Sequence, residues 1–168
     1  QYLGVMRNNI STFSFVSCRE SFGTELIKHQ LGIKNCETVL DPTLLISMEE
    51  WLKTSRYRRK KRKYILCYIF KFTKFVANAV NYFKKLYDDF DVVIIPFSEE
   101  EYCCKYKKIN APKVFDFINL IKNAELVLTD SFHGTAFSIN MNSNFYVFSR
   151  FSENDSASMN SRIHSILH

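Results

Sequence analysis

The chain has 168 residues, 46% of them apolar, with 16 phenylalanines and a net charge of +6. This length and composition suit one full domain with a sizeable aromatic core, whereas apolar runs of only about seven residues exclude a membrane-spanning helix. Five cysteines without a C-x-x-C spacing exclude a disulfide scaffold and fit a reducing compartment, and four dispersed histidines give no close metal-ligand cluster.

Residues 12–18, TFSFVSC, read as a strand that ends at Arg19-Glu20. Ser21 is placed to cap a helix running to Gln30, with Gly32 ending it. A short strand from Glu37 to Leu40 follows, and Pro42 marks its exit because proline cannot continue an inner ladder. The next helix spans Met48 to Lys53, with Trp51 on its buried side. Residues 54–63 form a basic surface segment, and 56–63 hold seven of the 23 basic residues. Without those seven the chain carries 16 basic against 17 acidic side chains, so the remainder is nearly neutral. The run reads as a solvated loop or as a contact for an acidic partner, a polyanionic glycan or an anionic membrane surface. No helix-turn-helix, zinc-finger or RNA-binding signature accompanies it, so nucleic acid is not the expected partner.

Residues 64–70, YILCYIF, read as a buried strand. Apolar residues from Phe72 to Tyr87 then recur at helical spacing, as in an amphipathic helix laid on a sheet. Asp91 to Ile95 form the next strand, stopped at Pro96. Glu99 to Lys108 is a polar stretch that reads at most as a short helix. Pro112 precedes a helix from Val114 to Lys122. Another buried strand lies at Leu126-Val127-Leu128, a helix covers Ala136 to Ile139, and a strand covers Phe145 to Phe148. The polar tail leads to a last helix opening at Ser161. This alternation predicts a three-layer, Rossmann-like α/β domain over 1–168 with a mainly parallel sheet. Neither a G-x-G-x-x-G fingerprint nor a P-loop is present, which argues against a nicotinamide cofactor or ATP bound in the standard ways.

The junction Thr129-Asp130-Ser131-Phe132-His133-Gly134-Thr135 joins a strand's carboxyl end to a helix's amino end. Open α/β sheets bind ligands there, and helix N–H groups favour an anion. His133 could donate a proton to a reacting group, or it could be a satisfied structural histidine. Gly134 allows close approach of a ligand to the backbone or relieves a tight turn. Asp130, Ser131 and Thr135 are candidate substrate contacts and equally good helix caps. Without a G-x-S-x-G elbow, Ser131 does not read as a nucleophile. Arg19, just past the first strand, could offer a bidentate guanidinium or make a surface ion pair. Asp41 at a strand exit and Arg150 after the Phe145 strand have similar dual readings. No pair of carboxylates is spaced for a glycosidase mechanism.

Several of these pieces, in order, resemble the polysaccharide pyruvyl transferase family. They are Val16-Ser17-Cys18-Arg19-Glu20, Thr24-Glu25-Leu26 before Leu31-Gly32, Val39 to Leu45 with its Asp41-Pro42-Thr43, and the Trp51 helix. Phe117 to Ala124, Leu128 to Thr135 and Ser161-Arg162-Ile163 follow. The resemblance covers nearly the whole chain and looks like the carboxyl-terminal portion of a member. It implies a fold similar to one half of a B-type glycosyltransferase, in a piece of a two-domain protein. It also implies transfer of the pyruvyl group of phosphoenolpyruvate onto sugar hydroxyls as a ketal, in the assembly of capsule, exopolysaccharide or cell-wall glycan. No cofactor is needed, because phosphoenolpyruvate is the donor substrate, and the acceptor would be a saccharide or lipid-linked glycan.

By that resemblance His133 acts as general acid or phosphate contact, and Arg19 is the second catalytic candidate. Some relatives carry Arg-Leu-His where this chain has Ser131-Phe132-His133, so that arginine is absent here. The expected location is cytoplasmic, with membrane association through the basic run. A nucleotide-sugar-dependent enzyme in the same cleft and a non-catalytic glycan-binding or assembly domain are the rival readings.

Overall fold

The computed structural model describes residues 2–53, 62–97, 105–151 and 160–167. Most of the basic run, the Cys103-Cys104 pair and most of the polar stretch after Glu99 therefore lie outside the described residues. The sequence reading drew 1–168 as one domain. By internal contacts the chain divides into two compact units, residues 1–45 with 161–168 and residues 46–160, and each is described by itself.

The first unit contains helix α1 (Tyr2–Ile10), strand β1 (Val16–Cys18), helix α2 (Ser21–Gln30), strand β2 (Cys36–Thr38), a 3-10 turn at Pro42–Leu44, and at the other end of the chain helix α7 (Ser161–Leu167). β1 and β2 pair in parallel, Val16 opposite Cys36 and Cys18 opposite Thr38. The expected strand from residue 12 shortens to its last three residues, since Phe13 and Phe15 are 66% and 50% exposed and have no core face to join. α2 ends at Gln30 as expected, but Ser21 is its first helical residue rather than its cap, Glu20 taking the N-cap position without a side-chain hydrogen bond. The chain leaves through Gly32 at φ +66°, a conformation that favours a residue without a Cβ. Pro42 sits in the first turn of the 3-10 segment, where its missing N–H leaves no partner unsatisfied.

The second unit holds helix α3 (Met48–Lys53), then β3 (Tyr64–Tyr68), α4 (Lys74–Leu86), β4 (Asp91–Ile95), β5 (Lys107–Lys108), α5 (Val114–Lys122), β6 (Leu126–Thr129), α6 (Phe132–Asn140) and β7 (Phe145–Val147). Its five strands lie in the order β5-β4-β3-β6-β7, and every pairing is parallel. The last two residues of the polar stretch, Lys107–Lys108, form the edge strand β5.

Period-2 alternation sends each strand's side chains to two separate cores. On one face Ile65, Cys67, Ile94 and Leu128 pack with Phe72, Val76 and Val80 of the α4 segment. On the other, Tyr64, Leu66, Val93 and Val127 pack with Ile118 and Ile121 of α5 and with Phe137 and Met141 around α6. Helices therefore cover both faces of a parallel sheet, the three-layer arrangement that near-continuous apolar strands require. Ile65, Leu66, Cys67, Val127 and Leu128 are fully buried, each aliphatic among them stabilising the fold by about 1.5–3 kcal/mol of transfer free energy. Tyr64 is also buried, and its hydroxyl donates to the Leu120 carbonyl at 2.7 Å. Among the described residues, no helix is long and apolar enough to cross a membrane.

Candidate functional site

From β3 the chain runs outward through β4 to β5, then crosses back to β6 and continues outward to β7. The connections leaving β3 and β6 therefore diverge. At such a switch point a crevice opens beyond the carboxyl ends of the two strands. The residues there are Tyr68 to Lys71 after β3 and Thr129 to Gly134 after β6.

This crevice is tightly wired. Thr129 Oγ1 donates to the Tyr68 carbonyl at 2.7 Å and accepts from Ser131 N at 3.1 Å. Asp130 is 3% exposed, and each of its carboxylate oxygens takes one backbone N–H from across the crevice. Oδ1 accepts from Phe70 N at 2.8 Å and Oδ2 from Lys71 N at 3.1 Å. Arg150, just beyond β7, adds Nε to Oδ2 at 3.3 Å and Nη2 to the Asp130 carbonyl at 2.8 Å. Its guanidinium also lies 4.3 Å from the centre of the Phe70 ring, a cation–π contact that reinforces the ion pair.

Ser131 takes the N-cap position of α6, its hydroxyl accepting from Gly134 N at 3.4 Å. Thr135 donates through both N and Oγ1 to the Ser131 carbonyl, at 3.0 Å each. The N–H groups of 134 and 135, available in principle to an anion, are thus engaged within the cap. Gly134 has no room for a side chain, because a Cβ there would stand 2.2 Å from Thr129 Oγ1 and 3.1 Å from Tyr68 Cδ1. Its role in this structure is close helix–strand packing.

His133 is exposed at the start of α6, with its ring edge-on to Phe132 at 5.4 Å. It stands at the wall of a cavity of about 490 Å³, in the size range of small-molecule sites. The other walls are mainly apolar and come from four places: Tyr68 of β3, Phe97 beyond β4, Pro112 and Phe117 around α5, and Phe137 of α6. Phe97 stacks on Phe70 at 3.8 Å and tilts against Tyr68 at 5.2 Å. Burial pushes the Tyr68 hydroxyl above the ordinary phenol value, against a hydrogen bond with Ser131 and the Arg150 charge, which pull it down, while the Asp130 charge adds to the rise. Ala111, also in the wall, has φ +43° immediately before Pro112, a strained conformation for a non-glycine residue of the kind that clusters at ligand sites.

Arg19 and Asp41 belong to the first unit. Arg19 follows β1, and its Nη1 donates to Asp41 Oδ2 at 2.7 Å. The other Asp41 oxygen accepts from Thr43 N at 3.0 Å and from Thr43 Oγ1 at 2.7 Å. Burial raises the Asp41 pKa, but the two Thr43 hydrogen bonds and Arg19 outweigh it, so the carboxyl titrates below the ordinary aspartate range. Of the readings left open, Asp41 is therefore a turn former and an arginine anchor at once. Glu20 lies 3.3 Å from Arg162 of α7 and 3.9 Å from Arg19.

Sequence reasoning thus found His133, Asp130, Ser131, Gly134 and Thr135 at one junction, with Arg150 joined to it. It missed the aromatic wall formed by Tyr68, Phe97, Phe117 and Phe137, with Phe70 stacked behind Phe97. The available signal was aromatic residues at the carboxyl end of one predicted strand, Tyr68 and Phe70, and just past that of another, Phe97.

The fold defines an α/β protein with a parallel Rossmann-like sheet, similar to one half of a B-type glycosyltransferase. The model of the polysaccharide pyruvyl transferase family matches residues 1–152, nearly the whole chain, and the chain belongs to that family of transferases. No curated protein matches it by sequence. Among solved structures, it is similar to the UDP-GlcNAc 2-epimerase of Methanocaldococcus jannaschii in complex with UDP-GlcNAc and UDP, with a TM-score of 0.56 at 17% identity over 78% of this chain and 45% of that one. The Neisseria meningitidis UDP-GlcNAc 2-epimerase bound to UDP-GlcNAc gives 0.53 at 15% identity, covering 78% and 43%. The wall teichoic acid polymerase TagF gives 0.50 at 14% identity, covering 88% and 42%. The chain therefore spans less than half the length of these structures, and the likeness is one of fold.

Proposed function

We propose that this chain is the carboxyl-terminal part of an enzyme that transfers the pyruvyl group of phosphoenolpyruvate onto two hydroxyls of a sugar as a ketal, during polysaccharide assembly. The observation that carries the reading is the placement of His133. It is an exposed imidazole at the amino end of α6, on the wall of a cavity at the sheet's switch point, in a chain of the pyruvyl transferase family.

The chemistry needs a proton donor, cationic groups for the donor's carboxylate and phosphate, and exclusion of water. In this proposal His133 protonates the methylene carbon of phosphoenolpyruvate, which becomes the methyl group. The central carbon turns electrophilic, and a sugar hydroxyl oxygen bonds to it. The C–O bond to phosphate then breaks, and a second hydroxyl of the same sugar forms the other C–O bond. The two hydroxyl protons balance the one placed on the methyl carbon and the one leaving with inorganic phosphate. Arg19 of the first unit, tied to Asp41, is carried as a separate anion-binding candidate by family resemblance, tested by its own substitution. Arg150, already tied to Asp130 and Phe70, holds the crevice rather than moving to a ligand.

A saccharide or lipid-linked glycan is the proposed acceptor. The basic run, of which Arg62 and Lys63 are described, would hold the protein near an anionic membrane surface where a lipid-linked acceptor resides.

The test is a titration with phosphoenolpyruvate at fixed ionic strength, together with an assay of inorganic phosphate release in the presence of candidate sugars. Saturable binding weakened by His133→Ala or Arg19→Ala, with acceptor-dependent phosphate release, is the expected result. Binding of a nucleotide-sugar with no response to phosphoenolpyruvate would overturn the reading in favour of a glycosyltransferase-like enzyme. Glycan binding that survives His133→Ala, with no phosphate release, would point to a non-catalytic domain.

A further inference from the structure

The cavity beside His133 is poorly matched to phosphoenolpyruvate itself. That donor carries a carboxylate and a phosphate, and burying such groups against apolar walls is costly unless each is paired. Of the side chains that line it, His133 and Tyr68 carry polar atoms, and the others are aromatic, aliphatic or proline. Arg150 is withdrawn behind Phe70 and bonded to Asp130. Phe97, 48% exposed, stacks on Phe70 and keeps a large part of its ring open.

We propose that this cavity seats the acceptor, a neutral sugar ring, and that Phe97 and Tyr68 determine how the ring is held. A pyranose has an apolar C–H face and a polar rim. The face matches an aromatic ring, and the rim can meet an amphipathic group such as the Tyr68 hydroxyl. The volume of about 490 Å³ accommodates such a ring. A ring seated there has hydroxyls within the neighbourhood of His133, the proton donor of the proposed reaction. The strained Ala111-Pro112 corner fixes part of the wall, so the site is shaped before the sugar arrives. The donor's charged groups then bind outside this cavity. This assignment rests on the pyruvyl transfer reading but concerns a separate subsite, so the two can fail independently.

The experiment is an amide NMR titration of the chain with methyl β-D-glucopyranoside, methyl β-D-galactopyranoside and phosphoenolpyruvate, each alone and then in pairs, with uridine as a nucleoside control. The expected result is that at least one glycoside shifts the amides of Tyr68, Ile95, Phe97 and Val114. Phe97→Ala should weaken that binding about tenfold, and Phe97→Tyr should retain it. Phe97 is half exposed, so both variants should keep the wild-type spectrum elsewhere. Phosphoenolpyruvate should not displace the glycoside.

Competition by phosphoenolpyruvate for these same amides would overturn the proposal, as would occupancy by uridine in preference to either glycoside. Silence of both glycosides at these residues would also overturn it. Phosphoenolpyruvate binding that depends on His133 or Arg19, without any glycoside in the cavity, would sink this inference and leave the proposed reaction standing. Glycoside binding here with no phosphoenolpyruvate response in any form of the protein would do the reverse.

Discussion

A Cβ placed on Gly134 would stand 2.2 Å from the hydroxyl oxygen of Thr129. That oxygen cannot readily swing aside, since it is held between the Tyr68 carbonyl and the amide of Ser131. Gly134→Ala is therefore expected to cost about 1–3 kcal/mol through overpacking. Thermal unfolding should show a lower Tm, and Thr129→Ala combined with Gly134→Ala should be less damaging than the two losses added together. Strict additivity would mean that the two residues do not press on one another as described.

Asp130 supports two backbone N–H groups and one guanidinium at once. Asp130→Ala leaves the Phe70 and Lys71 amides and Arg150 Nε without their acceptor, while Arg150 Nη2 keeps the carbonyl of residue 130, so a loss of about 3–5 kcal/mol is expected. Arg150→Ala should be milder, because the carboxylate keeps the Phe70 and Lys71 amides. Urea unfolding of the two single variants and the double variant measures this. Equal losses for Asp130→Ala and Arg150→Ala would contradict the assignment of Asp130 as the hub.

Asp41 predicts a pH dependence of stability. Its folded pKa is below the unfolded value of about 3.9. The folded form thus binds the proton less readily than the unfolded chain, and the stabilisation is fully present above that unfolded value. It is lost as pH falls from about 3.9 through the lower folded pKa. Asp41→Asn should remove this part of the acid limb while leaving the slope above pH of about 5 unchanged. Thr43→Val should reduce it, since one of the three supporting hydrogen bonds comes from the Thr43 hydroxyl. Unfolding free energies of the variants measured between these pH limits decide the matter.

His133 is exposed, so replacing it should hardly change stability. In the assay of phosphate release, His133→Ala should lower kcat by about 10²–10⁴-fold if the imidazole is the general acid. His133→Gln separates the roles, since an amide can hydrogen-bond phosphate but cannot cycle a proton. Near-normal kcat with raised KM in that variant would assign His133 to binding alone.

Much of the second unit was legible because its signals are local. β4 and α5 have the bounds that Pro96, Pro112 and the helical spacing of Val114 to Lys122 imply. Ser131 acts as the cap that the junction suggested, and Thr73, at the front of α4, caps that helix through Val76 N. α1 gave no reading although Leu3, Met6 and Ile10 recur at helical spacing, because the apolar pattern over nine residues is short, and the helix is nearly all exposed. The edge strand β5 is two lysines, whose pairing with β4 is a property of the sheet rather than of their side chains. The bond from Arg150 to Asp130 spans 20 residues and that from Asp130 to Phe70 spans 60. Nothing in a local pattern announces them. The cavity was invisible for the same reason, since its walls come from segments that meet only when the sheet is assembled.

The pairing of β3 with β6 also orders the events by which this molecule comes to exist. Thr129 meets Tyr68 across 61 residues, and one edge of the apolar strand β3 has no partner until β6 emerges from the ribosome. A nascent chain that has passed Ile95 but not Leu126 holds β3 and β4 against one another with the far side of β3 bare. Non-local parallel pairing of this kind closes slowly, and an uncovered apolar strand edge is a template for association with other chains. The arrival of β6 thus both closes that bare edge and brings Thr129 to Tyr68 at the crevice. Chains cut just before Leu126 should precipitate where those extending past Val147 remain in solution.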